Sequence, residues 1–203
     1  MTAPSTFERV YAAIKQRLRD GVYRPGDRLE PASLAEDLNA SVTPIRDALH
    51  RLTGERLVEA PRHEGFRVPM LTETMLRHLY GWHLDLVLLA IANRRPPSEP
   101  VDDRFAAMSQ DGEAGHRQNA LFLTMARMTR NPEHVLAIEA LGDRLEPVQR
   151  LEALLLDALD DETREILAAL QANDRKALRR ALVRYHRRRA AIVPELLERL
   201  QEG

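Results

Sequence analysis

The sequence predicts a mostly α-helical chain in two parts. Residues 1–70 read as three short helices closed by a small β-hairpin, and residues 71–203 as an all-α bundle of about six to seven helices. Three observations lead there. Apolar residues recur at helical spacing along most of the chain. The period shifts to a strand-like pattern only between Arg56 and Val68. The composition, 44% hydrophobic, 30% charged and 4% aromatic, suits a helix-rich globular protein.

The elements follow in order. Phe7, Val10, Tyr11, Ile14 and Leu18 form one apolar face of a first helix, which Ser5 or Thr6 can cap and Asp20-Gly21 ends. Tyr23 to Asp27 is a turn, because Pro25 fixes φ and Gly26 accepts positive φ. A second helix over 30–38 opens at Pro31 and turns Leu34, Ala35 and Leu38 inward. A third runs from about Thr43 to Thr53, with Ser41 placed to cap it, Pro44 in its first turn and Ile45, Ala48, Leu49 and Leu52 on its buried side. Arg56–Ala60, a polar turn over 61–65 and Phe66–Val68 then read as strand, turn, strand. Three short helices followed by such a hairpin make a winged helix-turn-helix.

Pro69 to Thr72 is a linker, and 72–93 one long helix. The run 94–100, with Pro96, Pro97 and Pro100, breaks the chain. Further helices are expected near 101–110, 114–130, 132–143, 145–158, 160–172 and 174–201. Pro132, Pro147, Asn173-Asp174 and Pro194 mark their starts or kinks. No internal repeat or low-complexity segment stands out.

Composition also excludes. The chain has no cysteine, so a disulfide framework, thiolate-ligated zinc and a cysteine nucleophile are ruled out. The N-terminus lacks the pattern of a signal peptide. The longest apolar run, Leu84 to Ala92, is interrupted by Asp85 and falls far below the roughly 20 residues a membrane span needs. The expected location is the cytoplasm, with no membrane partner.

About 45 contiguous residues, Tyr23 to Val68, carry a recognisable pattern: Pro25-Gly26-Asp27, Leu34-Ala35, Ser41-Val42-Thr43-Pro44-Ile45-Arg46-Asp47-Ala48-Leu49, Leu57-Val58 and Gly65. This stretch resembles the DNA-binding domain of GntR-family transcription regulators. The resemblance implies a double-stranded DNA operator as partner, with the third helix in the major groove. The residues suit that role. Thr43, Arg46, Asp47 and His50 share the face opposite Ile45, Leu49 and Leu52. Arg46 can grip guanine or a phosphate, and Ser41 and Thr43 can bond phosphate oxygens beside a helix N-terminus. The hairpin offers Arg62 and His63 next to Gly65. An isolated arginine at position 46 would instead pair with Asp47 or Glu36. Two departures from the family pattern stand out: Val42 where an arginine is usual, and Arg56 where a glycine is usual.

Charge divides unevenly. Residues 1–70 hold 11 Lys+Arg and 10 Asp+Glu, net +1; residues 71–203 hold 19 and 21, net −2. A head this weakly basic must place its charges locally, with Glu8, Asp20 and Glu36 off the DNA face. It also needs a symmetric dimer to read two half-sites, so a homodimer is expected.

The helical part resembles, through Asn131-Pro132 and through Glu162 to His186, the effector-binding domain of the FadR subgroup, often called FCD. That resemblance implies a small-molecule effector, and in many members a divalent metal on an aspartate and three histidines. Here the corresponding positions hold Gln118, Phe122 and Thr163, and only His186 keeps a ligand type. No metal and no cofactor are therefore expected. His83, His116 and His134 have no ligand spacing and read as surface or packed histidines. Trp82, His83, Gln118, Phe122, Thr163 and His186 are the candidate effector pocket; equally, Trp82 and Phe122 could fill a closed core in a domain that only dimerises. The basic run from Arg175 to Arg189 reads as a solvated face or an interaction surface, and Asp160-Asp161-Glu162 as a helix N-terminal charge cluster.

The expected function is a sequence-specific DNA-binding regulator, a repressor in the first instance. The alternatives are an oligomerising DNA binder without effector, or an enzyme using the bundle. The last has no support from catalytic motifs, so no catalytic residue is assigned.

Overall fold

The computed structural model describes residues 4–93, 114–129 and 131–202. The expected helix at 101–110 lies outside them, as does the side chain of His116. The described residues are mostly helical and fall into two compact units, one up to Leu71 together with the residues from Leu200 on, the other Thr72–Arg199.

The first unit holds α1 (Thr6–Arg19), α2 (Pro31–Asp37) and α3 (Val42–Gly54). Ser5 and Glu8 start α1 with reciprocal side chain to backbone bonds of 3.2 and 2.8 Å. Val10, Ile14 and Leu18 of α1 meet Ile45, Ala48, Leu49 and Leu52 of α3 in one core, to which α2 adds Leu34 and Ala35. Each of the three helices ends on a left-handed residue: Gly21, Asn39 and Arg56. At α3 the Leu57 N–H reaches the Leu52 carbonyl (3.0 Å) and the Arg56 N–H the Thr53 carbonyl (3.1 Å). These are the paired bonds of a glycine-favouring helix stop, with Leu52 and Leu57 both buried. The conformation explains why glycine is the usual residue at position 56.

The hairpin is shorter than expected and has an additional partner. It reduces to one antiparallel bridge, Glu59 with Arg67 (2.8 and 2.9 Å), because Arg56 is spent in the helix stop and Leu57 and Val58 are turned into the core. Residues 26–29 lie on the other side of the wing's return segment: Leu29 N–H bonds Phe66 O and Val68 N–H bonds Asp27 O, both at 2.9 Å. Gly26 (φ +91°) lets this third segment pass beneath Met70, whose Sδ lies 2.7 Å from where a Cβ would stand.

The second unit holds α4 (Glu73–Asn93), α5 (Ala114–Arg127), α6 (Pro132–Leu155), α7 (Leu159–Gln171), α8 (Arg175–Ala191) and, up to Arg199, α9 (Val193–Glu202). α4 packs on α5, α6 and α8; α6 packs on α5 and α7 on α8. Two expectations are corrected. The helices at 132–143 and 145–158 are one, α6, running through Pro147. Proline forfeits a backbone bond there, yet Leu141, Leu145 and Val148 are buried on both sides of it and hold the helix together. The helix expected over 174–201 breaks at Ile192, and Pro194 sits in the first turn of α9, where no N–H is needed. No described helix is long and apolar enough to cross a membrane.

Candidate nucleic-acid interface and helical-domain cluster

Helix α3 presents two opposite faces. Ile45, Ala48, Leu49 and Leu52 are fully buried, while Ser41, Thr43, Arg46, Asp47 and His50 are exposed. Ser41 occupies the N-cap position, but its side chain makes no capping bond, contrary to expectation. Its hydroxyl and the first N–H groups of α3 therefore point outward without a side-chain acceptor. Arg46 makes no ion pair with Asp47 or Glu36, nor with any described residue. The exposed ring of His50 stands edge-on to Phe66, centroids 4.9 Å apart, which ties the helix to the wing.

The wing tip carries Arg62, His63 and Gly65, all exposed. His63 (φ +63°) and Gly65 (φ +77°) are both left-handed, and a Cβ at Gly65 would meet nothing within 4 Å. Arg67 braces the wing from behind through Glu59 (3.0 Å) and Glu64 (3.3 Å). One placement differs from the sequence reading. Glu36 lines the same surface groove as Ser41 and Val42 instead of facing away, because the α2 to α3 link is only a few residues long. Val42 is 39% exposed beside it.

In the second unit the candidate pocket residues separate. His83, Gln118, Phe122 and His186 are buried. Phe122 stands edge-on to His83 (4.5 Å) and Tyr185 (5.1 Å), and Tyr185 donates to Gln118 Oε1 at 3.0 Å. Trp82 does not join them: adjacent helical positions are about 100° apart, so with His83 inward Trp82 is 55% exposed. Thr163 is half-buried, and its hydroxyl turns back to the Leu159 carbonyl of its own helix (3.0 Å). Of the other two histidines weighed as ligands, His134 is buried, and the side chain of His116 lies outside the described residues.

His83 and His186 form an ordered pair. His186 Nδ1 lies 2.8 Å from the Leu182 carbonyl, so it carries the proton. Burial pushes this imidazole down to about 4, and its ring is neutral. Its Nε2 is then a lone pair that accepts from His83 Nδ1 at 2.9 Å. Burial, then His186 and Arg189, hold His83 well below its usual range. Its Nε2 is left as a buried acceptor without a hydrogen-bond partner among the described residues.

Beside this pair lies an ion cluster that the sequence reading missed. Arg189, fully buried, bonds Glu152 at 2.8 Å and Glu162 at 2.7 Å, and its guanidinium lies 3.3 Å from the centroid of the Tyr185 ring. Tyr80 donates to the other Glu152 oxygen at 2.7 Å. Burial opposes the charge on Arg189, but Tyr185, Glu152 and Glu162 outweigh it and raise its affinity for the proton. Burial raises the Glu152 carboxyl, with Arg189 pulling it back. Arg189 was hidden in a run of arginines read as a solvated face. Only its position one turn from Tyr185 and in phase with Leu178 and Leu182 marked it as inward. Glu162 likewise belongs to the cluster, whereas Asp160 and Asp161 are exposed.

The family-type metal does not fit these residues. Gln118 is engaged by Tyr185, Phe122 offers no donor, Thr163 faces its own helix, and His186 spends both nitrogens on Leu182 and His83. No group of three or more histidine or acidic residues with metal-holding geometry occurs among the described residues.

Comparison with known proteins agrees with the geometry of the first unit. Residues 6–68 match the family described as "Bacterial regulatory proteins, gntR family". The "HTH-type transcriptional regulator McbR" of Escherichia coli K12 is 29% identical over 199 residues, covering 89% of each chain. The solved structure of E. coli McbR/YncC superposes with a TM-score of 0.68 at 25% identity, covering 95% of this chain and 98% of that one. A "Probable D-xylose utilization operon transcriptional repressor" of Paenarthrobacter nicotinovorans is 25% identical over 197 residues, covering 91% of this chain and 87% of its own.

Proposed function

Residues 6–68 form a gntR-family helix-turn-helix domain, and from that premise we propose that the chain is a cytoplasmic, sequence-specific transcriptional repressor that binds double-stranded operator DNA as a homodimer and performs no catalysis. One observation carries the DNA reading. The outward face of α3 collects Ser41, Thr43, Arg46 and His50, with no ion-pair partner for Arg46 among the described residues, over a face sealed completely into the core. Such a helix can enter a major groove without disturbing the fold. Arg46 is the base-reading group; Ser41, Thr43 and the N–H groups of α3 hold phosphates, and Arg62, His63 and Gly65 follow the adjacent backbone. A footprint on the DNA upstream of its own gene tests this. Protection of two symmetric half-sites supports it, and no protection at sub-micromolar dimer in low salt contradicts it.

The helical domain in this reading takes a metal-free effector at His83, Gln118, Phe122 and His186. The lining is aromatic, and its free acceptor is His83 Nε2, so the fitting ligand is a neutral molecule with an aromatic or fatty body and one hydrogen-bond donor. It would act by binding the DNA-competent arrangement of the dimer and its alternative with different affinity. The mutual packing of Phe122, His83, Tyr185 and His186 favours a second reading, in which the core is closed and the domain only dimerises. A thermal-shift screen with and without chelator separates them. A ligand-raised melting temperature indifferent to chelator supports the first, no hit the second, and a chelator-sensitive melting temperature contradicts the metal-free assignment.

A further inference from the structure

Helix α4 buries Leu76, Leu79, Tyr80, His83, Leu86, Val87, Ala90 and Ile91, and its outward side carries a line of apolar side chains among polar ones. Met75, Trp82 and Leu89 are 38%, 55% and 49% exposed. Scattered exposed apolar residues need no explanation. These three recur every seven residues on one line, which is the spacing of a seam between paired helices. Beside Trp82 the exposed Gly81 offers bare backbone, and a Cβ there would meet nothing within 4 Å. The same stripe carries His78 and Asp85, both exposed and without an ion-pair partner among the described residues.

We infer that this face of α4 is where two copies of the chain pair, with the two α4 helices antiparallel about a twofold axis near Trp82. The inference rests on the homodimer reading above and names its surface. The sequence of the stripe is self-complementary only in that orientation. With Trp82 at the axis, each indole lies against Gly81 of the other copy, Met75 meets Leu89, and His78 meets Asp85 on both sides of the axis. A parallel pairing would set Asp85 against Asp85 and leave each indole against another indole, with the glycine backbone unused. A twofold contact of this kind is also the one that presents two heads to symmetric half-sites.

Trp82 is the only tryptophan and the chain has no cysteine, which makes the test direct. Sedimentation and tryptophan emission are followed across a dilution series of the full chain. The wild type is expected to be dimeric at micromolar concentration, with emission shifting to the red as the dimer dissociates. Trp82→Glu is expected to be monomeric with an unchanged far-UV circular dichroism spectrum. Under oxidation, His78→Cys/Asp85→Cys is expected to give a covalent dimer on a non-reducing gel, while neither single cysteine variant does. A Trp82→Glu protein as dimeric as the wild type overturns the surface while leaving the homodimer reading intact. So does a double variant that fails to cross-link, or single variants that cross-link as well as the double. A wild type that is monomeric at every concentration overturns both.

Discussion

Removing the buried guanidinium is the sharpest test of the second unit's energetics. Arg189→Met keeps most of the side-chain volume and takes away the positive charge that two carboxylates share. Glu152, with no solvent exposure, would keep the Tyr80 hydroxyl and the Gln118 amide but no cation; Glu162, 8% exposed, would keep Arg188 at 2.6 Å. Breaking a buried pair on one side costs about 3–5 kcal/mol. The lower end is expected here, about 3 kcal/mol at pH 7, because burial already raises the Glu152 carboxyl and the group can take a proton once Arg189 is gone. For the same reason the penalty shrinks as pH falls toward the carboxyl. The assay is urea unfolding of the full chain by far-UV circular dichroism, wild type against Arg189→Met, Glu152→Gln and the double variant. In the double variant the neutral amide still accepts from Tyr80, so the two losses should fall short of adding by about 1 kcal/mol or more. An Arg189→Met loss below about 1 kcal/mol, or strict additivity, would refute the reasoning.

Three further outcomes follow. Val42→Arg, at the exposed start of α3, should tighten operator binding and steepen the log–log salt dependence by about 0.9 per phosphate gained in each head; unchanged affinity across a salt series removes the idea. Arg56→Gly should stabilise the head by about 1 kcal/mol in urea, since Arg56 sits at φ +61° in the helix stop; a loss of stability would contradict it. Stability should also fall in mild acid. His83 and His186 are neutral when folded but take protons near 6.5 when unfolded, so the unfolded state binds more protons below that pH. With the His186 value near 4, its share of the loss between pH 7 and 5 is about 2 kcal/mol, and His83 adds to it, while the raised Glu152 carboxyl works in the opposite sense. A urea midpoint flat over that range would contradict the neutral pair.

What could be read from the chain follows the range of the forces involved. The stripes of α1 and α3, a cap at Ser5 or Thr6, and the exposed set Ser41, Thr43, Arg46 and His50 are local, and helix periodicity and capping preference placed them, whereas the reciprocal bond from Glu8 was not read. The pairing of residues 26–29 with 66–68 spans some forty residues and has no local mark, so it was missed. Pro147 shows a strong local signal overridden by burial on both sides. Trp82 and His83 differ by a single position, and only the phase of the helix decides which of them faces the core. Arg189 was legible only by phase, because composition around it says surface while Leu178, Leu182 and Tyr185 say core.

The central claim is that the outward face of α3 reads DNA, with Arg46 as its base-contacting group. The direct measurement is fluorescence anisotropy of the full-length protein on a footprinted operator duplex and on a scrambled duplex of equal length, wild type against Arg46→Ala, at two salt concentrations. The account predicts that Arg46→Ala keeps its fold and its weak, salt-sensitive affinity for the scrambled duplex. On the operator it should lose about 1–3 kcal/mol per head, roughly ten- to a hundredfold. Equal loss on both duplexes would make Arg46 a phosphate contact only, and undiminished operator binding by Arg46→Ala would contradict the claim.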